Sequence, residues 1–289
     1  MEWHKILDPN SPELDRLAER YHLHPLHIED CRHRNQNAKI EESPGYIFTV
    51  MKGVRLNSDG ALLTADLDLF LGENFVITVV EDDCPEMQAL MEQVAKASNG
   101  DSRADQVYYR VLDHMVDTYL PVLDHYDETI DTLEDQALEN PAPKTLSCIF
   151  ETKRNLIVLR RVLANTRDVA NHLQRTESPF INRDMWPFLR DIYDHVARNL
   201  DTVEMLRDLL SGALDVYLSS VANRTNQVMK VLTVLGTVAL PAVVVSSIYG
   251  MNVKGLPGAE SPYALAIVLT LMATSTILLL WVLKRFHWL

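Results

Sequence analysis

The sequence predicts an α+β cytoplasmic domain, built on an antiparallel sheet with flanking helices, followed by a long stalk helix and two C-terminal transmembrane helices. Three observations lead to this fold class. Three β-prone segments follow one another between residues 46 and 81. A helical pattern then runs from Phe188 to Tyr249 and becomes wholly apolar at Val231, and a second apolar run covers Tyr263 to Leu283. Each apolar stretch is long enough to cross a bilayer as a helix.

The composition limits the classes of function. With 289 residues, the chain keeps enough residues outside the two spans for one or two soluble units with their own cores. The net charge of −13 argues against nucleic acid and fits either attraction of cations or simple solvation of a large surface. Cys31, Cys84 and Cys148 have no paired spacing, which fits a reducing compartment. Residues 1–10 lack a signal-type apolar core, so we expect insertion through the C-terminal spans.

Residues 1–104 are expected to form an N-terminal α/β domain. Ser11 can cap a helix that runs to Tyr21, with Pro12 in its first turn. The strands are predicted at Tyr46–Leu56, Leu62–Leu71 and Asn74–Glu81. We expect these strands to pair in an antiparallel sheet with helices on one side, because strands with one apolar face need a covering layer.

Imidazole and thiolate groups are concentrated in one segment of this domain. His22, His24, His27 and Cys31 are residue types that bind transition metals. The alternative is that all four are ordinary core or surface residues, because the backbone around Pro25 leaves the spacing of their side chains undefined.

Residues 105–178 are predicted to form a helical hairpin. Its first helix, Asp105–Glu139, has one apolar and one acidic side, and we expect Pro121 to kink it. A turn at Asn140–Pro143 leads to a basic helix, Lys144–Gln174, that would pair antiparallel with the first. We expect ion pairs between the helices rather than contacts with nucleic acid. The basic residues are Lys153, Arg154, Arg160, Arg161 and Arg167, and their expected partners are Asp113, Asp117, Asp124, Asp127 and Asp131.

The last part of the chain divides at the membrane boundaries. Residues 179–230 are the cytoplasmic part of the long helix, 231–252 the first span, 253–261 an extracytoplasmic loop, 262–284 the second span and 285–289 a basic tail. Basic side chains flank the spans at Arg224, Lys230, Lys284 and Arg285. Both termini are therefore predicted to be cytoplasmic.

One stripe of the first span has the spacing of a single helix face. Its residues are Asn226, Met229, Thr233, Gly236, Leu240, Val243, Ser247 and Met251, at steps of three and four. Two interpretations remain open for this stripe. It could line a channel formed by several copies of the chain around an axis, or it could pack on the second span or another helix.

The end of the first span resembles a known family. The sequence Tyr249-Gly250-Met251-Asn252 closes the first of two C-terminal spans, and the chain ends with Lys284 to Leu289, as in the CorA family of magnesium channels. The segments 23–30, 39–48 and 153–167 are similar to further parts of the family pattern. Asn37, Ala38 and Asn165 depart from it.

The resemblance implies a homopentameric funnel in a bacterial or archaeal inner membrane that admits Mg²⁺ down the membrane potential, with Co²⁺ or Ni²⁺ as further candidate ions. In such a channel the selectivity filter is Gly250, Met251 and Asn252, and Met229 and Leu240 form a hydrophobic gate. The implied pore-lining residues are Asn226, Met229, Leu232, Thr233, Gly236, Leu240, Val243 and Ser247. Val243 and Ser247 replace the threonine and glycine that are frequent there.

The resemblance also implies regulation by Mg²⁺ bound between the cytoplasmic domains of neighbouring subunits. The sensor aspartate falls on Asp191, with Asp82 or Asp83 as its partner. The alternative for Asp191 is an exposed helix carboxylate paired with a neighbouring arginine.

Two other functions stay open at this point. A loop containing Lys254 and the segment Gly255-Leu256-Pro257-Gly258 resembles the zinc-transporting ZntB branch, whose members could be proton-coupled. A membrane-anchored coiled-coil scaffold without transport is the second alternative. An enzyme is not predicted, since the sequence contains no Walker loop, dinucleotide fingerprint or nucleophile elbow.

Overall fold

A computed structural model describes residues 1–33, 36–58, 60–80, 85–97, 102–251, 256–258 and 261–285. The chain divides into two compact units, Met1–Val216 and Tyr217–Leu289. The elements in chain order are β1 (Glu2–Ile6), α1 (Pro12–Tyr21), α2 (Pro25–Arg32), β2 (Lys39–Ser43), β3 (Tyr46–Leu56), β4 (Leu62–Gly72), β5 (Phe75–Val80), α3 (Pro85–Ala97), α4 (Ala104–Asp117), α5 (Tyr119–Glu139), α6 (Pro143–Arg175), α7 (Trp186–Tyr249) and α8 (Ala264–Arg285).

The first unit is built on a five-stranded mixed sheet with the order β1-β5-β4-β3-β2. Strands β2 to β5 pair antiparallel, which confirms the three predicted strands and their pairing. The edge strand β1 pairs parallel with β5, with Glu2 opposite Phe75 and Ile6 opposite Val79. The prediction of a purely antiparallel sheet is therefore wrong at this edge, and β1 and β2 are additional strands.

Helices cover both faces of the sheet, not one. On one face Phe48 and Phe70 join a core with residues of α1 and α2. On the other face Thr49 lies within hydrogen-bonding distance of the Tyr108 hydroxyl of α4, at 2.7 Å, because successive side chains of a strand point to opposite faces. The expectation of a single helical layer is therefore wrong.

The helix boundaries follow local chemistry. The Ser11 hydroxyl accepts from the Glu13 N–H at 3.2 Å and caps α1, as predicted. The predicted helix Asp105–Glu139 is interrupted at Thr118 rather than kinked at Pro121. Pro121 lies in the first turn of α5, where proline is tolerated because those N–H groups have no partner within the helix.

The second unit contains the C-terminal part of α7 and the helix α8. Both α7 and α8 are long and apolar enough to cross a membrane, with mean hydropathy of 2.2 and 2.3 in their apolar windows. Pro241 lies inside α7 without ending it. The predicted long helix and the two spans are thus confirmed as elements.

Candidate functional site

The predicted pore stripe is uncovered in the single chain. Every described member of the stripe, from Asn226 to Met251, is exposed, and Met229 and Leu240 remain 55% and 58% accessible. The hydroxyl of Thr233 donates to the Met229 carbonyl at 2.8 Å, so its polar group is already satisfied by its own helix. The Ser247 hydroxyl has no hydrogen-bond partner within the residues that the structure describes.

A different face of α7 is the covered one. Val234, Thr237, Pro241, Val245 and Tyr249 are buried or half-buried and also recur at steps of three and four. At 3.6 residues per turn, this covered face lies roughly 140° around the helix from the stripe. Because the stripe and the covered face point in different directions, packing on α8 does not account for the stripe.

Helix α8 has a matching half-covered face. Ala264, Val268, Met272, Ser275 and Leu279 are half-buried and recur at steps of three and four, while Leu265, Leu269, Ile277 and Leu278 are exposed. Tyr249 lines one pocket together with Ile267 and Leu271 of α8. The two helices of the second unit therefore meet through faces other than the stripe.

The end of α7 is held by backbone contacts that need a glycine. The Gly250 N–H donates to the Ser246 carbonyl at 2.8 Å, and a Cβ on Gly250 would lie 2.9 Å from that same oxygen. The Tyr249 hydroxyl donates to the Pro257 carbonyl at 2.9 Å and ties the helix end to the loop. Asn252, the third residue of the predicted filter, lies outside the described residues.

The Gly250→Ala variant is expected to lose divalent-cation uptake while the protein still assembles. The added methyl group would meet a backbone oxygen that cannot rotate away, so the end of α7, with its last carbonyl groups, must shift. Uptake of a divalent cation into vesicles measures the loss. Gly212→Ala is the matched control, since nothing lies within 4 Å of its Cβ position and this glycine of the same helix lies outside the stripe. Equal uptake by both variants would contradict the role given to Gly250.

The loop after the first span contains a second constrained glycine. Gly258 has a φ of 77°, in the left-handed region, and a Cβ there would lie 3.3 Å from the Ile267 Cδ1 atom. A residue with a side chain at this position would therefore be strained.

The histidine and cysteine residues near the N-terminus have separate structural roles. His24 caps α2 through its ring Nδ1, which accepts from the Leu26 N–H at 3.2 Å. His27 is buried against Phe48, with ring centroids 4.4 Å apart, and Cys31 belongs to the same core. In the part of the chain that the structure describes, no three His, Cys, Asp or Glu side chains are placed to share a metal ion. The interpretation as ordinary core and surface residues is the one that this geometry favours.

Asp191 lies beside an acidic face of α4. It forms an ion pair with His195 at 3.6 Å, not with an arginine. The aromatic rings of Tyr109 in α4 and Phe188 in α7 are 5.3 Å apart and bring the two helices together. Burial, followed by the nearby charges of Asp113 and Asp191, raises the pKa of Tyr109 to about 12.

The neighbours of Asp191 were not identified from the sequence. Burial, followed by the nearby charge of Asp117, raises the pKa of Asp113 above its ordinary value, so a second carboxylate lies close to this partly buried one. The sequence instead predicts ion pairs between these two aspartates and the basic helix. The sequence contains one signal that groups these residues. Tyr109, Asp113 and Asp117 follow at steps of four and therefore share one helix face. Asp82 and Asp83, the expected partners of Asp191, lie outside the described residues.

A buried clamp fixes the start of α7 against α4. The carboxylate of Asp105 accepts from Arg103 Nε at 3.0 Å and from Asn182 Nδ2 at 2.8 Å. Burial alone would raise the pKa of Asp105, but the bonds from Arg103 and Asn182 hold it below its ordinary value. Arg103 also donates to Asp184, so the segment that leads into α7 is bound to α4 through both Asn182 and Asp184.

The predicted ion pairs between the acidic and basic helices are absent from the described chain. Arg160 pairs with Glu204 of α7, and Arg167 with its neighbour Asp168 at 3.0 Å. Helices α5 and α6 pack through apolar side chains such as Tyr126 and Leu156, and the arginines lie outside that contact.

Comparison with known proteins places these features in one family. The model of the CorA-like Mg²⁺ transporter protein family matches residues 1–285. The cobalt/magnesium transport protein CorA of Thermotoga maritima is 35% identical over 280 residues, which cover 96% of this chain and 80% of that protein. The zinc transport protein ZntB of Yersinia pseudotuberculosis is 28% identical over 166 residues, 57% of this chain and 50% of that protein.

The fold itself matches a solved structure. The complete structure of the CorA magnesium transporter from Methanocaldococcus jannaschii superposes with a TM-score of 0.83 at 22% identity, covering 99% of this chain and 91% of that one. At this identity the likeness shows the fold. Taken with the match of the family model over residues 1–285, it establishes that the chain belongs to the CorA-like Mg²⁺ transporter family.

Proposed function

We propose that the chain is one subunit of a homopentameric channel that admits Mg²⁺ across a bacterial or archaeal inner membrane. The observation that carries this proposal is the uncovered stripe of α7, which lies away from the face that packs in the second unit and ends at Gly250 and Met251. Several copies arranged around an axis would cover this stripe and enclose a path. Both termini are then cytoplasmic, as the basic residues beside the spans indicate.

The proposed filter is a ring of neutral oxygen atoms. Mg²⁺ loses its water reluctantly, so a filter that contacts the hydrated ion avoids a large desolvation cost. Five Asn252 amides, with carbonyls at the end of α7, would bind such an ion and still release it. No carboxylate or histidine lies in residues 231–249 or 264–283, so the spans contain no proton relay.

The stripe also offers a way to close the channel, and the membrane potential offers a driving force for ion entry. Rings of Met229 and Leu240 would close the path by excluding water, since both side chains are large, apolar and exposed on the stripe. For a divalent cation, an inside-negative potential supplies about 4–5 kcal/mol per 100 mV. Passive entry therefore needs no other energy source.

Regulatory Mg²⁺ is proposed to bind at Asp191, with Asp113 as a neighbouring ligand. The carboxylates near Tyr109 support this role: burial, followed by the charge of Asp117, raises the pKa of Asp113, and a bound divalent cation would stabilise its charged form. Asp82 or Asp83 of another subunit would complete the ligand set. When Mg²⁺ is plentiful, the bound ion would hold the cytoplasmic domains together and the channel closed.

Replacing Asp191 or Asp113 with asparagine is expected to remove the protection that Mg²⁺ gives the full-length protein against proteolysis. Asp113→Asn is also expected to raise the melting temperature without Mg²⁺. A carboxyl whose pKa is raised on folding destabilises the fold above that pKa, and the penalty fades as the pH falls toward the ordinary value. The measurements are limited proteolysis and thermal unfolding with and without Mg²⁺. The control is Asp208→Asn, an exposed residue of the same helix, and unchanged Mg²⁺ protection in both site variants would exclude the site.

Growth and uptake together test the transport function. The wild-type chain is expected to restore growth of a magnesium-transport-deficient bacterium at low Mg²⁺ and to carry Mg²⁺, and also Co²⁺ or Ni²⁺, into vesicles. Uptake of Zn²⁺ without Mg²⁺, above all if driven by a proton gradient, would favour the ZntB-type alternative, to which the Leu256-Pro257-Gly258 turn points. A protein that carries no divalent cation would be a scaffold.

A further inference from the structure

Helix α6 has an unpartnered row of side chains on its outer face. Phe150, Arg154, Ile157 and Arg161 follow at steps of four, three and four, and all four are exposed, with Phe150 46% and Ile157 43% accessible. The buried Leu159 lies on the opposite side of the helix. We name this row the α6 seam. Alternating steps of three and four are the spacing by which one helix packs along another.

Helix α5 has a second row with the same spacing and the opposite charge. Asp124, Asp127, Asp131, Glu134 and Leu138 follow at steps of three and four. Glu134 is half-buried and the other four are exposed, with Leu138 68% accessible. We name this row the α5 seam. It combines four carboxylates with one large uncovered apolar side chain.

The two seams match in an antiparallel register. Arg154 and Arg161 are seven residues apart, as are Glu134 and Asp127, so the two pairs of charges are both separated by about 10 Å along their helices. The same register brings the two exposed apolar ends together. The paired positions are Phe150 with Leu138, Arg154 with Glu134, Ile157 with Asp131 and Arg161 with Asp127.

The seams do not meet within one chain. Helices α5 and α6 contact each other through their buried faces, which include Ile130 and Leu156. Within the described residues, no carboxylate lies at ion-pair distance from Arg154 or Arg161. Both seams are therefore open to a partner from outside the chain.

We propose that the α6 seam of one subunit docks antiparallel on the α5 seam of the next subunit. This inference rests on the proposed function, because it needs several copies in one ring. A contact between two different surfaces of identical subunits repeats around a closed ring and leaves no seam uncovered. The occupant is a second copy of this chain, since the complementary charge and spacing are both present on it.

Disulfide cross-linking tests the register in the full-length protein. The variant Leu138→Cys/Phe150→Cys, with the three native cysteines replaced by alanine, is expected to give a reducible ladder of oligomers after mild oxidation with copper phenanthroline. A bond within one chain would shift only the monomer band. Thr132→Cys/Phe150→Cys is the control, because Thr132 is exposed on another side of α5, and it should give no ladder.

Charge reversal tests the proposed pair Arg154 and Glu134. Arg154→Glu in the cross-linking background is expected to lower the ladder yield about fivefold, and adding Glu134→Arg is expected to restore it. Absence of the ladder in a protein that light scattering shows to be oligomeric would overturn this inference and leave the proposed function intact. A monomeric wild-type protein would overturn both.

Discussion

The Asn252→Ala variant is expected to fail to restore growth of a magnesium-transport-deficient bacterium and to carry divalent cations at least about tenfold more slowly than the wild type. In the proposed pentamer one substitution removes five amide oxygens from the filter. A loss of only about 1.4 kcal/mol of ion stabilisation already corresponds to a factor of ten. The hydrated ion would then meet alanine methyl groups, which cannot replace the hydrogen bonds of the amides.

Two measurements separate this effect from misfolding. Light scattering and melting temperature should match those of the wild type, because alanine is smaller than asparagine and adds no bulk. Thr270→Ala is the control, since it removes a hydroxyl of α8 that donates only to the Ala266 carbonyl of its own helix, at 2.7 Å. If Asn252→Ala and Thr270→Ala transported equally well, the filter would have to lie elsewhere on the stripe.

The elements predicted correctly are those whose pattern is local. The long helix was expected from Phe188 and begins at Trp186, because its apolar residues keep a helical spacing over many turns. Strand β1 had no such signal. Its sequence Glu2-Trp-His-Lys-Ile6 mixes charged and apolar side chains, and its partner β5 lies some seventy residues further along the chain.

The candidate site likewise contains residues that a local sequence pattern predicts and residues that only the tertiary packing brings together. Asp191 is predicted from the resemblance of the segment around it and stays a prediction, whereas Asp113 and Tyr109 could not be connected with it before the packing of α4 on α7 was known. Asp66 and Asp68 alternate with apolar residues along β4, a pattern typical of a strand with one exposed face. Both are buried, since α1, α2 and the segment leading to β2 cover that face. Alternation along a strand shows which residues share a face, but it does not show whether that face is covered by other elements.

The Lys52→Met variant is expected to be the most destabilising single change in the first unit, by about 3–5 kcal/mol. Lys52 and Asp66 face each other across β3 and β4, with Nζ and Oδ1 2.7 Å apart and both side chains less than a tenth exposed. Removing the ammonium group leaves a carboxylate buried without its counter-charge. At this size of domain, such a loss lowers the melting temperature by about 10 °C or more.

A second substitution shows whether the buried charge is the cause. In Lys52→Met/Asp66→Asn both charges are gone, and the new amide oxygen can still accept from the Gln36 N–H, which now donates to Asp66 Oδ2 at 2.9 Å. We expect this double variant to recover more than half of the lost melting temperature, although it differs more from the wild type than the single variant does. Lys144→Met, at an exposed position, should change stability by less than about 0.5 kcal/mol. If the single and double variants melted together, lost packing of the lysine side chain rather than its charge would be the cause, and the ion pair would contribute little to holding β3 and β4 in register.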